Sequence, residues 1–376
     1  MVYRTIGLAS LALLIPALYW TIRLDCADWL FVKGDAASLR LAIRLAPGTT
    51  EYYSALAQSE PEHAAVILKE AAALNPRSGS LRVELGLAEE DAEGDLLEAT
   101  KLDTGFAPRW ALSDFYFQRH DTEKFWPAVK SALAVSYGDI TPQLRECWTL
   151  RADAQTILDR AIPDRPEVWR RYLDFLLADG RLDAAAPVAA KVLATADKQS
   201  VPSLLSFCDR MLTEWRGADA LVVWNGLAQR KLAGVEGHGF DRRIATPAGT
   251  YAERAPAGLI LTFSGKQSED VELVSQYVPL QPRRRYVFTV RYRVSGIGVE
   301  SGLICHLQLA GGRDLLAGHG VLPGAAGTLT QTFPFEAPDG ATVGRAVLQY
   351  RRMPGTTRIE GAFTLQEFAV APGDDR

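Results

Sequence analysis

Residues that carry chemistry are few and scattered in this 376-residue chain. The four cysteines are Cys26, Cys147, Cys208 and Cys305. None forms a C-x-x-C pair and none has a histidine at zinc-finger spacing, so no zinc module is expected. The five histidines contain no H-E-x-x-H, and the Gly-His-Gly triplets at 237–239 and 318–320 read as loops. There is no G-x-S-x-G elbow. Gly265-Lys266 lacks phosphate-loop spacing, and Gly296-Ile297-Gly298 joins β segments, unlike a dinucleotide fingerprint. No catalytic residue, cofactor or metal is therefore expected, and the chain reads as a non-enzyme. The formal net charge is −4 with no Lys/Arg block. That excludes a polybasic arm and, with it, a nucleic-acid partner. Cys147 and Cys208 stand open between a disulfide in an oxidising compartment and two buried small apolar side chains.

Apolar content is concentrated at the start. Thr5 to Ile22 holds no charge and is bracketed by Arg4 and Arg23. As a helix it would be roughly 27 Å long, near the thickness of a bilayer core. Tyr19 and Trp20 sit near one end, where amphipathic rings favour the interface. Bulky residues where a signal peptidase wants small ones argue for an uncleaved anchor. The reading is an inner-membrane, single-pass bacterial protein over 1–24, with the bulk of the chain periplasmic. Arg23, Lys33, Arg40 and Arg44 beyond the span favour the opposite orientation.

From 25 to 235 the pattern is helical, with Gly and Pro punctuation recurring near every 30 residues. Ala64, Leu68 and Ala71 share a face before Asn75-Pro76 ends the helix. Pro166 to Leu193 repeats the theme, with Trp169, Tyr172, Gly180 and Ala185, and so does Pro108 to Val135, with Trp110, Phe117 and Ala132. These positions resemble tetratricopeptide repeats. No complete second helix is expected between Leu85-Gly86 and Leu102, and Pro127 and Pro187 fall early in their helices. The resemblance implies an α-solenoid that binds a protein partner.

Across 236–372 period-two patterns replace helical ones. Strands are expected at 259–263, 271–278, 285–295, 303–309, 328–335, 346–352 and 359–370. Alternation assigns Tyr286, Phe288, Val290, Tyr292 and Val294 to a core face. Leu303, Cys305, Leu307 and Leu309, and then Ala346, Leu348 and Tyr350, follow the same rule. The opposite side of those strands carries Arg291, Arg293, His306, Gln308, Gln349 and Arg351. If the strands share a sheet, these six form one polar ligand face, suited to anions. The strand order resembles jelly rolls of carbohydrate-binding modules, which implies a glycan ligand.

The expected architecture is thus multidomain α + β, with a transmembrane helix, a TPR-like α-solenoid and an antiparallel β-sandwich of jelly-roll type. The combination resembles accessory proteins of bacterial exopolysaccharide assembly or export. A membrane-tethered scaffold with protein and polysaccharide partners is the first reading. A purely structural envelope subunit and a glycan-processing enzyme are its rivals.

Overall fold

A computed structural model describes residues 2–89, 91–232, 237–309, 315–324 and 327–373, with the side chains of 2–13, 319 and 321 outside that description. The expected boundary at 235/236 and the His319 side chain also lie outside it. Contacts divide the chain into two compact units, Met1–Val168 and Trp169–Arg376.

The first unit is built from one long helix followed by short ones. These are α1 (Val2–Lys33), α2 (Ala36–Leu45), α3 (Thr50–Ser59), α4 (Ala64–Leu74), α5 (Gly79–Ala88) and α6 (Glu93–Leu102). They continue with α7 (Phe106–Gln118), α8 (Thr122–Val135), α9 (Thr141–Leu150) and α10 (Ala154–Arg160). Helices of this length are marginal alone, so packing holds them. Leu68, Ala71 and Ala72 of α4 are buried against Leu81 and Leu85 of α5 and Tyr53 and Ala57 of α3. Side chains close several N-termini. Asp35 accepts from the Ser38 N–H at 2.9 Å, and Asp153 from the Thr156 N–H at 2.9 Å. Contrary to expectation, α6 supplies the missing second helix. Its Leu96 and Ala99 are fully buried, and Leu96 sits where a Cβ on Gly86 would fall, 2.8 Å away.

The N-terminal expectation needs correction. Among the described residues no helix is long and apolar enough to cross a membrane. This overturns the inner-membrane anchor over 1–24 and the single-pass localisation built on it. The start of the Thr5–Ile22 run has its side chains outside the described residues. From Leu14 onward only nine uncharged residues precede Arg23, and Asp25, Asp28 and Lys33 follow in the same helix. No break falls near residue 24. The last turns of α1 belong to the helical core instead: Ala27 is buried with Ala42 and Tyr52, the Tyr52 hydroxyl donates to Asp28, and Arg23 Nε donates to the Leu45 carbonyl at 2.5 Å.

The second unit begins within α11 (Pro166–Ala178) and continues with α12 (Leu182–Ala194), α13 (Val201–Thr213) and α14 (Gly217–Gln229). Hairpin α11/α12 repeats α7/α8 with each helix starting sixty residues later. The turn residues correspond too: Gly180 has φ +70° and His120 has φ +56°. Glycine takes that left-handed conformation without a side-chain penalty, whereas histidine must bear one. Pro127 and Pro187 are likewise equivalent, each the sixth residue of its helix, and both helices run on past them.

The strands are β1 (Arg243–Ile244), β2 (Thr250–Ala255), β3 (Gly258–Ser264), β4 (Asp270–Pro279), β5 (Arg285–Ser295), β6 (Leu303–Leu309), β7 (Leu315–Val321), β8 (Thr328–Glu336), β9 (Val343–Arg351) and β10 (Glu360–Pro372). They form two antiparallel five-stranded sheets. The first has the order β1-β4-β9-β6-β7 and the second β2-β3-β10-β5-β8. The chain changes sheet repeatedly, as in a jelly roll. The expected core faces hold. Phe288, Val290, Tyr292, Leu303, Cys305, Leu307, Leu348 and Tyr350 are buried with Phe263 and Phe363 between the sheets. Each large apolar side chain removed from water there contributes about 1.5–3 kcal/mol. All four cysteines are free, and Cys147 and Cys208 are buried small side chains.

Candidate ligand face of the sandwich

The six predicted site residues do not share a sheet. Arg291 and Arg293 lie on β5 of the second sheet, whereas His306, Gln308, Gln349 and Arg351 lie on β6 and β9 of the first. All six face outward as alternation requires, but from opposite sides of the sandwich. The single face becomes two, and they differ in character.

On the first sheet, Glu272, Gln349 and Ile304 form one outward row, Ser275, Val347 and His306 the next, and Tyr277, Arg345 and Gln308 a third. Much of this side is covered. Val343 and Val347 point away from the sandwich core, yet are only 3% and 2% exposed, as is Ser275 at 2%. Helix α14 lies directly against it: a Cβ on Gly217 would come within 2.0 Å of Val343 Cγ2. Helix α13 is tied on by Asp209, which accepts from Arg243 Nη2 at 2.6 Å and from the Gly239 N–H at 2.7 Å. The same carboxylate lies 2.6 Å from His238 Nδ1. Arg243 and Arg345 both stack over Tyr277, at 4.9 and 5.9 Å. The remaining charges neutralise one another. Arg345 Nη2 reaches both oxygens of Glu272 at 2.6 and 2.8 Å, and Asp270 accepts from Gln349 and from Arg351 Nε at 3.1 Å.

The outward side of the second sheet is open. Arg293 stands in register between Thr364 of β10 and Thr328 of β8, and Arg291 between Glu367 and Thr330. Thr289 follows between Ala369 and Thr332. Thr262 lies further across, on β3, opposite Tyr251 of β2. Arg291 Nη2 pairs with Glu367 at 2.7 Å, both groups remaining solvent-accessible. Such a pair is a weak hold on the arginine. The result is a hydroxyl-rich strip with two guanidinium groups along its middle strand. Tyr251, 67% exposed at the edge, is not legible as a face residue in the sequence. Its strand, TYAERA, alternates without an apolar set and gives little strand signal on its own.

Concavities among the described residues include one of about 430 Å³ beside Arg285, Pro334 and Glu336 and two others. One of about 360 Å³ lies in the helical unit, lined by α6, α7 and α8. Its polar groups are engaged: Arg109 Nε donates to Ser131 at 2.9 Å, and Lys124 and the Tyr116 hydroxyl both donate to Glu93, at 2.8 and 2.9 Å. The other, about 830 Å³, opens among the β5–β6 and β9–β10 loops around Glu300, Arg358 and Glu360. Among the described residues no group of three or more His, Cys, Asp or Glu side chains converges to hold a metal ion.

No protein-family model matches the chain, and no curated protein matches it. Among solved structures it is similar to YrrB, a TPR protein with an unusual peptide-binding site, with 13% identity over 52% of this chain and 93% of that one, at a TM-score of 0.26. It is similar to PilF of Pseudomonas aeruginosa with 16% identity, 57% and 93% coverage and a TM-score of 0.28. A CBM4 structure is similar over 36% of this chain and 88% of its own, at 11% identity and a TM-score of 0.28. At these scores the TPR-like and sandwich assignments rest on the hairpins and the strand order themselves.

Proposed function

We propose that this chain is a binding protein without catalysis of its own, whose helical hairpins engage a protein partner and whose second sheet binds an extended polar ligand of polysaccharide type. One observation carries the ligand half: the helices of the same unit occupy the outward side of the first sheet, while that of the second is open and lined by Arg291, Arg293 and threonine hydroxyls. Guanidinium forks and hydroxyls favour acidic or heavily hydroxylated chains over flat apolar surfaces. A role accessory to polysaccharide assembly or export is the finer form of this reading, and it comes from the domain combination alone.

The test is calorimetric titration of the full chain with polygalacturonate and with dextran. Arg291→Ala combined with Arg293→Ala is expected to weaken polygalacturonate binding about tenfold or more, the scale of a charge-assisted hydrogen bond. His306→Ala combined with Arg351→Ala is expected to change little. Equal binding by both double variants overturns the assignment of the face. Release of reducing ends from either polymer by purified protein overturns the non-catalytic reading.

A further inference from the structure

Hairpins α7/α8 and α11/α12 are equivalent at an offset of sixty residues, so a position in one has a counterpart in the other. At one place the two differ in kind. In α11 the indole of Trp169 is buried at 6% exposure, and Lys191 Nζ from α12 lies 4.5 Å from its ring centre. In α7 and α8 the same two positions hold Arg109 and Ser131, joined by the bond from Nε to the serine oxygen at 2.9 Å. Where the later hairpin buries an indole, the earlier one has the cavity of about 360 Å³. That volume is at the small end of the range for organic ligands and too small for a polymer.

The walls are of two kinds. Leu97, Leu112, Pro127 and Ala128 give an apolar lining from α6, α7 and α8, and no lining residue is acidic. Lys124, also in the wall, is neutralised by Glu93, whose oxygens lie 2.8 and 3.1 Å from its Nζ. Arg109 is held in a different way. Besides the Ser131 bond, its Nη1 donates to the Gly105 carbonyl at 2.8 Å and to the Thr104 carbonyl. All three acceptors are neutral. They fix the half-buried side chain without cancelling its charge, and among the described residues no carboxylate pairs with it. Nη2 takes no part in these bonds. A cation withdrawn from water favours an anionic partner, and a positioned guanidinium matches a carboxylate well. The apolar walls beside it favour a ligand whose remainder is apolar.

We propose that this cavity binds a small organic acid with an apolar body, its carboxylate taken by Arg109 and its body by the walls of Leu97, Leu112 and Pro127. The site lies in the helical unit, apart from the sheet face that carries Arg291 and Arg293. Its test depends neither on that face nor on a protein partner.

The full chain is titrated by calorimetry with octanoate, octan-1-ol and acetate. Octanoate is expected to bind saturably, about tenfold or more tighter than octanol, which has the body without the charge. Acetate, the charge without the body, is expected to give no saturable heat. Arg109→Gln is expected to weaken octanoate binding about tenfold or more. Leu97→Glu sets a carboxylate in the wall and is expected to abolish octanoate binding by like-charge repulsion. Because Leu97 is 40% exposed, Leu97→Glu keeps the test valid if Arg109→Gln fails to fold. Absence of saturable octanoate binding overturns the site, as do equal affinities for octanoate and octanol, acetate binding as tight as octanoate, or undiminished octanoate binding in either folded variant.

Discussion

Glu146 shows how much of this protein's behaviour resides in single side chains. It lies on α9 with Oε2 buried and no hydrogen-bond partner. Burial, and then the charge of Asp114, push its carboxyl up to about 8 from an ordinary 4.5. Asp114 is itself raised by burial. The folded protein therefore keeps a proton that the unfolded chain releases near pH 4.5. This contribution to stability is fully present below that value and is lost as pH rises to about 8. Urea midpoints measured across this window are expected to fall more steeply for the native sequence than for Glu146→Gln, which carries no ionisable group. Parallel curves would sink the assignment. Nothing in the sequence around Glu146 announces this, since the partner charge sits on another helix. By contrast, the inward or outward direction of Arg291, Leu307 or Tyr350 was legible, because alternation along a strand is a local property.

At the level of elements, contact between α14 and β9 is the tightest constraint. Gly217 starts α14 with no room for a side chain, its would-be Cβ lying 2.0 Å from Val343 Cγ2. Gly217→Ala is expected to cost about 1–3 kcal/mol through overpacking. Val343→Ala should recover part of that loss, with a coupling of about 0.5–3 kcal/mol in a double-mutant cycle by urea denaturation. Additive effects would show that the helix does not press on the sheet. Helices and central strands were read well from periodicity because each has a buried stripe. The misses share one cause, and one of them corrects the loop reading of 318–320: these residues lie in β7, an edge strand that is a strand because β6 pairs with it. Strand β2, an edge strand without an apolar face, is a strand because β3 pairs with it. Helix α6 is short and acidic, and it is helical because Leu96 packs beneath Gly86 and Ala99 is buried beside Gly79.

At the level of the molecule, the second unit includes four helices as well as the sandwich. A fragment of residues 237–373 would bare Val343, Val347 and Tyr277 on the outward side of the first sheet. It is expected to self-associate, whereas residues 166–373 should run as a monomer by size-exclusion chromatography. A well-behaved monomer from the shorter fragment would show that the helices are dispensable. The sequence by itself determined the order of the parts, the helical hairpins and their turns, and which side of each strand enters the core. These follow from short-range sterics and from patterns of period 3.6 and 2. Only the tertiary structure decided which strands share a sheet, which outward side is left open, and that Arg242 lies against Phe368 of β10. Those outcomes depend on pairings between residues up to more than a hundred positions apart, and no local pattern encodes them.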